Sequence, residues 1–423
     1  MKANSLLMEK LIPYLVCFSA ALFFAYELVQ FHMMNAISPM LINDLGMNAT
    51  SFGKLCASYL LADVIFLLPA GIILDYFSTR KVILSSLLFC ILGTTGFAFA
   101  RNFSDACFCH FLSGIGNAFC FLSCMILIAR WFPQRKHAFI TGMVITIGML
   151  GGVIAQYPFS LLAELLSWRK ALLVDALIGT FLYSLIYLTV KDAPSSARSD
   201  NINTNKISFW TGLKKSVFNL QNINCGLYTC FMNMPLMVLG AVWGSMFLTQ
   251  IHQIPLVKAS FIVSMICMGT IVGSPIYGYL SSKTASKRPW MILGGLSSLV
   301  LMLMILFLPY PTEALLISLF FLLGVFSSSQ VLGYPIITES NPKELTGTSM
   351  GVAAVIIMGL PMIAQPLSGY LLDLNWNGTM INGSPLYALE NYLSAFSIFP
   401  IGFIIALFTI PFIKVKKPIE AFA

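Results

Sequence analysis

Gly71-Ile72-Ile73-Leu74-Asp75-Tyr76-Phe77-Ser78-Thr79-Arg80-Lys81 is answered, about half the chain later, by Gly278-Tyr279-Leu280-Ser281-Ser282-Lys283-Thr284-Ala285-Ser286-Lys287-Arg288. In both stretches a glycine closes an apolar run, a polar residue stands four positions on, and two basic residues stand nine and ten positions on. Recurrence at this distance implies two halves built alike. Within each copy, Gly71 and Gly278 are expected to let helix backbones approach closely. Asp75, Arg80, Lys81, Lys287 and Arg288 are expected to hold neighbouring helix ends together.

The chain around these stretches is a membrane sequence. Of its residues 58% are hydrophobic and 9% charged, against about 25% charged in soluble domains. Twelve apolar spans are readable, at roughly 11–36, 52–74, 82–100, 106–130, 137–160, 170–190, 221–250, 258–281, 289–309, 314–338, 347–371 and 391–413. Each is long enough to cross a bilayer as a helix. The first runs too long, without a small-residue cleavage site, to read as a removable signal peptide. The formal charge of +8 sits where topology needs it. With the N-terminus placed inside, 19 of the 24 Lys and Arg fall in inner segments and only Lys54, Arg101, Arg169, Lys170 and Lys258 fall outside. This bias predicts that both termini lie in the cytoplasm, at the inner membrane of a cell, and argues against a nucleic-acid partner. The ten cysteines lie mostly within apolar runs and read as packing residues; no metal or cofactor is expected.

The long polar stretch from Lys191 to Lys215 divides the spans six and six. The expected organisation is a six-helix bundle over 1–190, a cytoplasmic linker over 191–220 and a second bundle over 221–423. Near the end of the linker, Phe209-Trp210-Thr211-Gly212-Leu213-Lys214-Lys215 reads as a short amphipathic helix at the lipid interface.

The repeated stretch resembles the signature loop between helices 2 and 3 of the major facilitator superfamily, with its echo between helices 8 and 9. Ala129-Arg130-Trp131-Phe132-Pro133, followed by Arg135, is similar to the loop between helices 4 and 5 in many solute importers of that superfamily and in its organic-anion and sugar-phosphate antiporters. Trp168-Arg169 resembles its Gly-Trp-Arg entry to helix 6, with Ser167 in the glycine's place. Tyr26-Glu27, Trp243-Gly244 and Gln365-Pro366…Gly369…Leu372-Asp373 are similar to a narrower group of bacterial nutrient importers, which includes phagosomal transporters of intracellular gammaproteobacteria. The resemblance implies an all-α fold of twelve transmembrane helices in two pseudo-symmetric bundles, with Asp75 and Arg80 as gating residues. Two departures stand out. Ser282 replaces the acid in the second copy, and His110 occupies the place near Gly114 where the superfamily usually carries an arginine.

Ionisable groups within a membrane span cost about 2.5–3.5 kcal/mol each, so each one demands a reason. Glu27 lies mid-span in helix 1 with Gln30 on its side of the helix. Asp63 lies mid-span in helix 2. His110 begins helix 4, with Asn117 two turns on. Asp175 in helix 6 is expected to pair with Arg169 or Lys170. Gln156, Tyr157, Tyr228, Asn233, Trp243, Gln330, Tyr334 and Gln365 supply amide, indole and hydroxyl groups on helices that the resemblance places around a central cavity. No Lys or Arg stands mid-span, so a strongly anionic cargo lacks its usual counter-charge.

These features point to a secondary transporter, working as a monomer among lipids, that imports a small polar or zwitterionic solute, such as an amino acid, with protons. Export of drugs or siderophores, siderophore import, and a non-transporting membrane sensor are the competing readings. Catalysis is not expected: the inner loops hold no nucleotide-binding loop and no Ser/His/Asp set.

Overall fold

The computed structural model describes residues 2–193, 209–284, 286–342, 345–381 and 384–414. Twelve of its helices are long and apolar enough to cross a membrane. That outcome follows from the solvent: in hydrocarbon every backbone N–H and C=O must be satisfied within the segment, and a helix does so unaided.

By contacts the chain forms two compact units. The first comprises Met1–Ile37 and Ser58–Ile202; the second comprises Ser38–Ala57 and Asn203–Ala423. The tip of the first helical hairpin is thus counted with the second unit, whereas an even division of the sequence assigns it to the first. Residues 194–208 of the linker lie outside the described residues.

The helices of the first six spans are α1 (Lys2–Asp44), α2 (Ala49–Tyr76), α3 (Thr79–Phe99), α4 (Phe103–Trp131), α5 (Gln134–Leu166) and α6 (Trp168–Thr189). Asn102 starts α4 by accepting the Asp105 N–H at 2.8 Å, and Asp105 adds a favourable negative charge in the first turn. The core of the first unit joins Val16, Phe23, Tyr26, Ile83, Leu87, Leu127 and Ile186, with Cys17, Cys90, Cys120 and Cys124 among them. A Cβ at Gly151 of α5 would lie 2.0 Å from the Ala25 carbonyl of α1, so a side chain there would force the two helices apart.

After the linker come the short α7 (Phe209–Val217) and then α8 (Leu220–Met234), which runs into a π-helical stretch over Pro235–Trp243 and resumes as α9 (Gly244–Ile251). Pro235 lacks the N–H a regular helix needs, and the wider π turn begins at that residue. The remaining helices are α10 (Leu256–Ser282), α11 (Arg288–Phe307), α12 (Glu313–Ser327), α13 (Gly333–Ser340), α14 (Thr346–Leu374), α15 (Leu389–Phe396) and α16 (Ile398–Thr409). A two-residue antiparallel pair, β1 (Met380–Ile381) and β2 (Ser384–Pro385), folds the loop between α14 and α15.

Candidate functional site

Among the described residues of the first unit three carboxyl groups are buried: Glu27, Asp63 and Asp175. Among the described residues no Lys or Arg is buried. Asp63 and Asp175 both lie close enough to Glu27 to couple with it electrostatically.

Glu27 is fully buried on α1. The Tyr59 hydroxyl of α2 bonds to its Oε2 at 2.8 Å and to its backbone carbonyl at 3.0 Å. Its Oε1 has no hydrogen-bond partner among the described residues. The Cys90 thiol also lies against the carboxyl, but a thiol is too weak a donor to satisfy it. Room for this group comes from α4, where a Cβ at Gly116 would lie 2.0 Å from Oε1. Two residues earlier, Gly114 lets α4 approach the Tyr59 backbone, which a Cβ would meet at 2.3 Å. One helical turn beyond Tyr59, Asp63 lies against the Asn117 side chain of α4.

A second arm runs to α6. Gln30, one turn after Glu27, donates its amide to the Asp175 carboxylate and accepts the Thr94 hydroxyl at 2.8 Å. The Tyr26 hydroxyl donates to the Asp175 backbone carbonyl at 3.2 Å. Asp175 therefore bonds to an amide, not to the basic neighbours expected from sequence. Arg169 instead donates to the Ala98 and Ala100 carbonyls at 3.0 and 2.6 Å and lies over the Trp168 ring. The reason is helical phase: residue 175 is six positions past 169, on another face of α6.

His110 is packed between Tyr59 and Phe97, with ring centroids 5.1 and 5.6 Å away, and its Nδ1 is unpartnered among the described residues. Gln156 accepts from the Asn35 amide at 2.6 Å. Tyr157, by contrast, is 41% exposed. His32, which is absent from the candidates read from sequence, is fully buried on α1, with Nδ1 bonded to the Leu28 carbonyl at 3.0 Å and Nε2 unpartnered among the described residues. A histidine five positions after Glu27 in an apolar run was the available signal. Tyr59, Thr94 and Gly116 carried none.

In the second unit the candidates scatter. Tyr228 bonds to Ser329 Oγ at 2.8 Å and to the Met291 carbonyl at 3.1 Å, a tie between helices. Trp243 is fully buried at the end of the π-helical stretch, edge-on to Phe52 at 5.5 Å, and its Nε1 lacks a partner among the described residues. Gln365 donates to the Met237 carbonyl at 2.9 Å, while its Oε1 and the Oδ1 of Asn233 are unpartnered among the described residues. Gln330 is buried, Tyr334 is half-buried, and the Gln330 carbonyl accepts the Thr229 hydroxyl at 3.2 Å.

The repeated stretches have matching roles at helix ends. Arg80 donates to the Tyr187 carbonyl near the end of α6 and lies 4.8 Å from the Tyr187 ring centroid. Arg288 donates to the Ile413 carbonyl, just past α16, at 2.7 and 3.0 Å. Cations at the ends of α6 and α16 satisfy orphan carbonyls and favour the helix dipole. Asp192 caps α3, accepting the Ser78 hydroxyl at 2.5 Å and the Arg80 N–H at 2.9 Å. Lys81 is exposed, and Lys287 forms an ion pair with Glu339 at 2.6 Å. Ser282 bonds within its own helix, to the Tyr279 carbonyl. The side chain of Asp75 lies outside the described residues. Close backbone approach at the two motif glycines does not occur here: open space surrounds the place of a Cβ at both Gly71 and Gly278.

Comparison with known proteins bears on the family and the fold. A family model described as Major Facilitator Superfamily matches residues 17–366 and 227–417. The probable galactarate/D-glucarate transporter GudP of Bacillus subtilis is 21% identical over 395 residues, covering 83% of this chain and 84% of that protein. A gallate transporter of Pseudomonas putida is 26% identical over 183 residues, which is 43% of this chain and 39% of that protein. The solved structure of the nucleoside transporter NupG matches with a TM-score of 0.73 at 12% identity, over 95% of this chain and 100% of that one. At such identity the likeness is one of fold.

Proposed function

The chain belongs to the Major Facilitator Superfamily and is a multi-pass secondary transporter, and from that premise we propose that it imports a small polar or zwitterionic solute together with protons. The carrying observation is Glu27: a buried acid with one oxygen held by Tyr59 and the other, among the described residues, without an oxygen or nitrogen partner, in a unit whose described residues bury no positive charge. A carboxyl so placed can take up a proton or a cationic group in one state and release it in another, which couples cargo movement to a proton gradient by alternating access. In this reading Gln30, Asp63, Asn117 and His110 serve it as polar support, Asp63 lying near enough to couple with the carboxyl. The cytoplasmic membrane, with both termini inside, is the setting consistent with the distribution of Lys and Arg.

The relatives named for gallate and galactarate carry acids, but those cargoes belong to those proteins. Desolvating a dianion calls for arginine or lysine, and this unit offers carboxylates instead. Amino acids and other solutes bearing ammonium or hydroxyl groups therefore fit better.

The test is uptake by proteoliposomes under an inward proton gradient, with amino acids, nucleosides, sugars, sugar acids and siderophores as candidates. Gradient-dependent accumulation of a zwitterionic or neutral solute is expected. Accumulation of a sugar dianion alone would overturn the cargo assignment, and binding without flux would mark a sensor.

A further inference from the structure

The acid cluster leaves one sequence motif without a role: Gln365-Pro366…Gly369…Leu372-Asp373 on α14. In the structure three of its residues, one helical turn apart, meet the first turns of α2. Both segments belong to the second compact unit.

A helix begins with N–H groups that have no partner in the helix itself. At the start of α2 these are met by Asp373. Its Oδ2 accepts the Thr50 N–H at 2.8 Å and the Thr50 hydroxyl at 2.5 Å. Its Oδ1 accepts the Tyr387 hydroxyl at 2.5 Å and, more loosely, the Ala49 N–H at 3.3 Å. The same Ala49 N–H reaches the Tyr387 oxygen at 3.1 Å. Burial, and then Asp373 itself, push the Tyr387 phenol well above its ordinary pKa, which keeps it a donor. Gln250 fixes Tyr387 in turn, accepting its backbone N–H at 3.2 Å and the Tyr392 hydroxyl at 2.9 Å.

The backbones close up beside this cap. A Cβ at Gly369 would lie 2.3 Å from the Ala49 carbonyl, and one at Gly53 would lie 2.5 Å from the Gln365 carbonyl. Glycine on each helix permits the crossing, and the carboxylate at its end holds the helix N-terminus by charge and hydrogen bonds. The docked segment, Ser38–Ala57, continues at both ends into the chain of the other unit.

We propose that Asp373 is the gating residue that docks the tip of the α1–α2 hairpin on α14, and that each transport cycle breaks and remakes this cap. The proposal rests on the alternating-access reading above.

Two experiments on the full-length protein test it. The first needs no cargo. Cys56 lies buried in the docked segment and Cys230 lies buried on α8. Maleimide modification of each is followed by peptide-resolved mass spectrometry in detergent. Asp373→Ala is expected to speed modification of Cys56 about tenfold, and Thr50→Val about threefold, with Cys230 unchanged; helix caps are worth enough for such shifts. Unchanged Cys56 reactivity in both variants would overturn the docking role, as would equal acceleration at Cys230, which means general loosening.

The second experiment joins Thr50→Cys to Asp373→Cys by oxidation in proteoliposomes. Reduced protein, lacking the cap, is expected to take up cargo more slowly than the wild type, and oxidation is expected to abolish that remaining uptake reversibly. Full uptake by cross-linked protein would overturn the gating role. Absence of uptake in the wild type overturns the carrier reading instead, so the two failures are distinguishable.

Discussion

Gly116 of α4 stands against the carboxyl of Glu27 on α1, so close that a Cβ there would lie 2.0 Å from Oε1. The acid occupies a nook that exists because one residue on the facing helix has no side chain. This makes the position of Glu27 a property of two helices, and it can be probed from either.

Gly116→Ala is expected to displace the Glu27 side chain. Overpacking of this kind costs about 1–3 kcal/mol, so the protein folds with a lowered Tm while proton-driven uptake falls at least tenfold. Thermal unfolding and proteoliposome uptake, measured together, check this. Uptake at the wild-type rate would mean that the carboxyl location is immaterial.

Glu27→Gln keeps the shape of the side chain and removes its capacity to exchange a proton. Accumulation driven by a pH gradient is expected to vanish, while downhill exchange of cargo across the same vesicles persists. Accumulation with unaltered pH dependence would assign coupling to another group.

Tyr59→Phe deletes the hydroxyl that bonds to Glu27 and preserves the ring. A lost hydrogen bond of this type is worth about 1 kcal/mol, equivalent to about 0.7 pH unit. The pH midpoint of uptake is expected to move by that order, with the maximal rate largely kept. A profile superimposable on the wild type would separate Tyr59 from the coupling step.

Asp192→Ala removes the carboxylate that takes the Ser78 hydroxyl and the Arg80 N–H at the start of α3. A cap of this kind contributes about 0.5–2 kcal/mol, and Tm is expected to fall accordingly without any change in cargo selectivity. Altered selectivity at constant Tm would show that this helix end serves the transported solute.

Several of these residues were legible before folding and several were not. Glu27 and Asp63 announced themselves as acids in apolar spans, because the membrane makes such residues costly. Tyr59 did not, since a tyrosine in an apolar helix is unremarkable until its hydroxyl is seen against a carboxyl. Asp175 was recognised, but the basic residues beside it in sequence were the wrong partners: Arg169 faces the α3 end, whereas the acid faces α1. Asp373 drew notice only as part of a motif. Its task depends on α2 beginning beside it, more than three hundred positions earlier in the chain.

The sequence alone determined the solvent, the twelve crossings and the repeated helix-end motif, because hydrophobic length and composition report directly on a bilayer. Only the tertiary structure decided which oxygen of Glu27 is held and which is left unpaired, and which carboxylate caps which helix. Those outcomes depend on how each helix is rotated about its axis against its neighbours. Rotation is set by the combined packing of many side chains, glycine contacts foremost, and no local stretch of sequence encodes it.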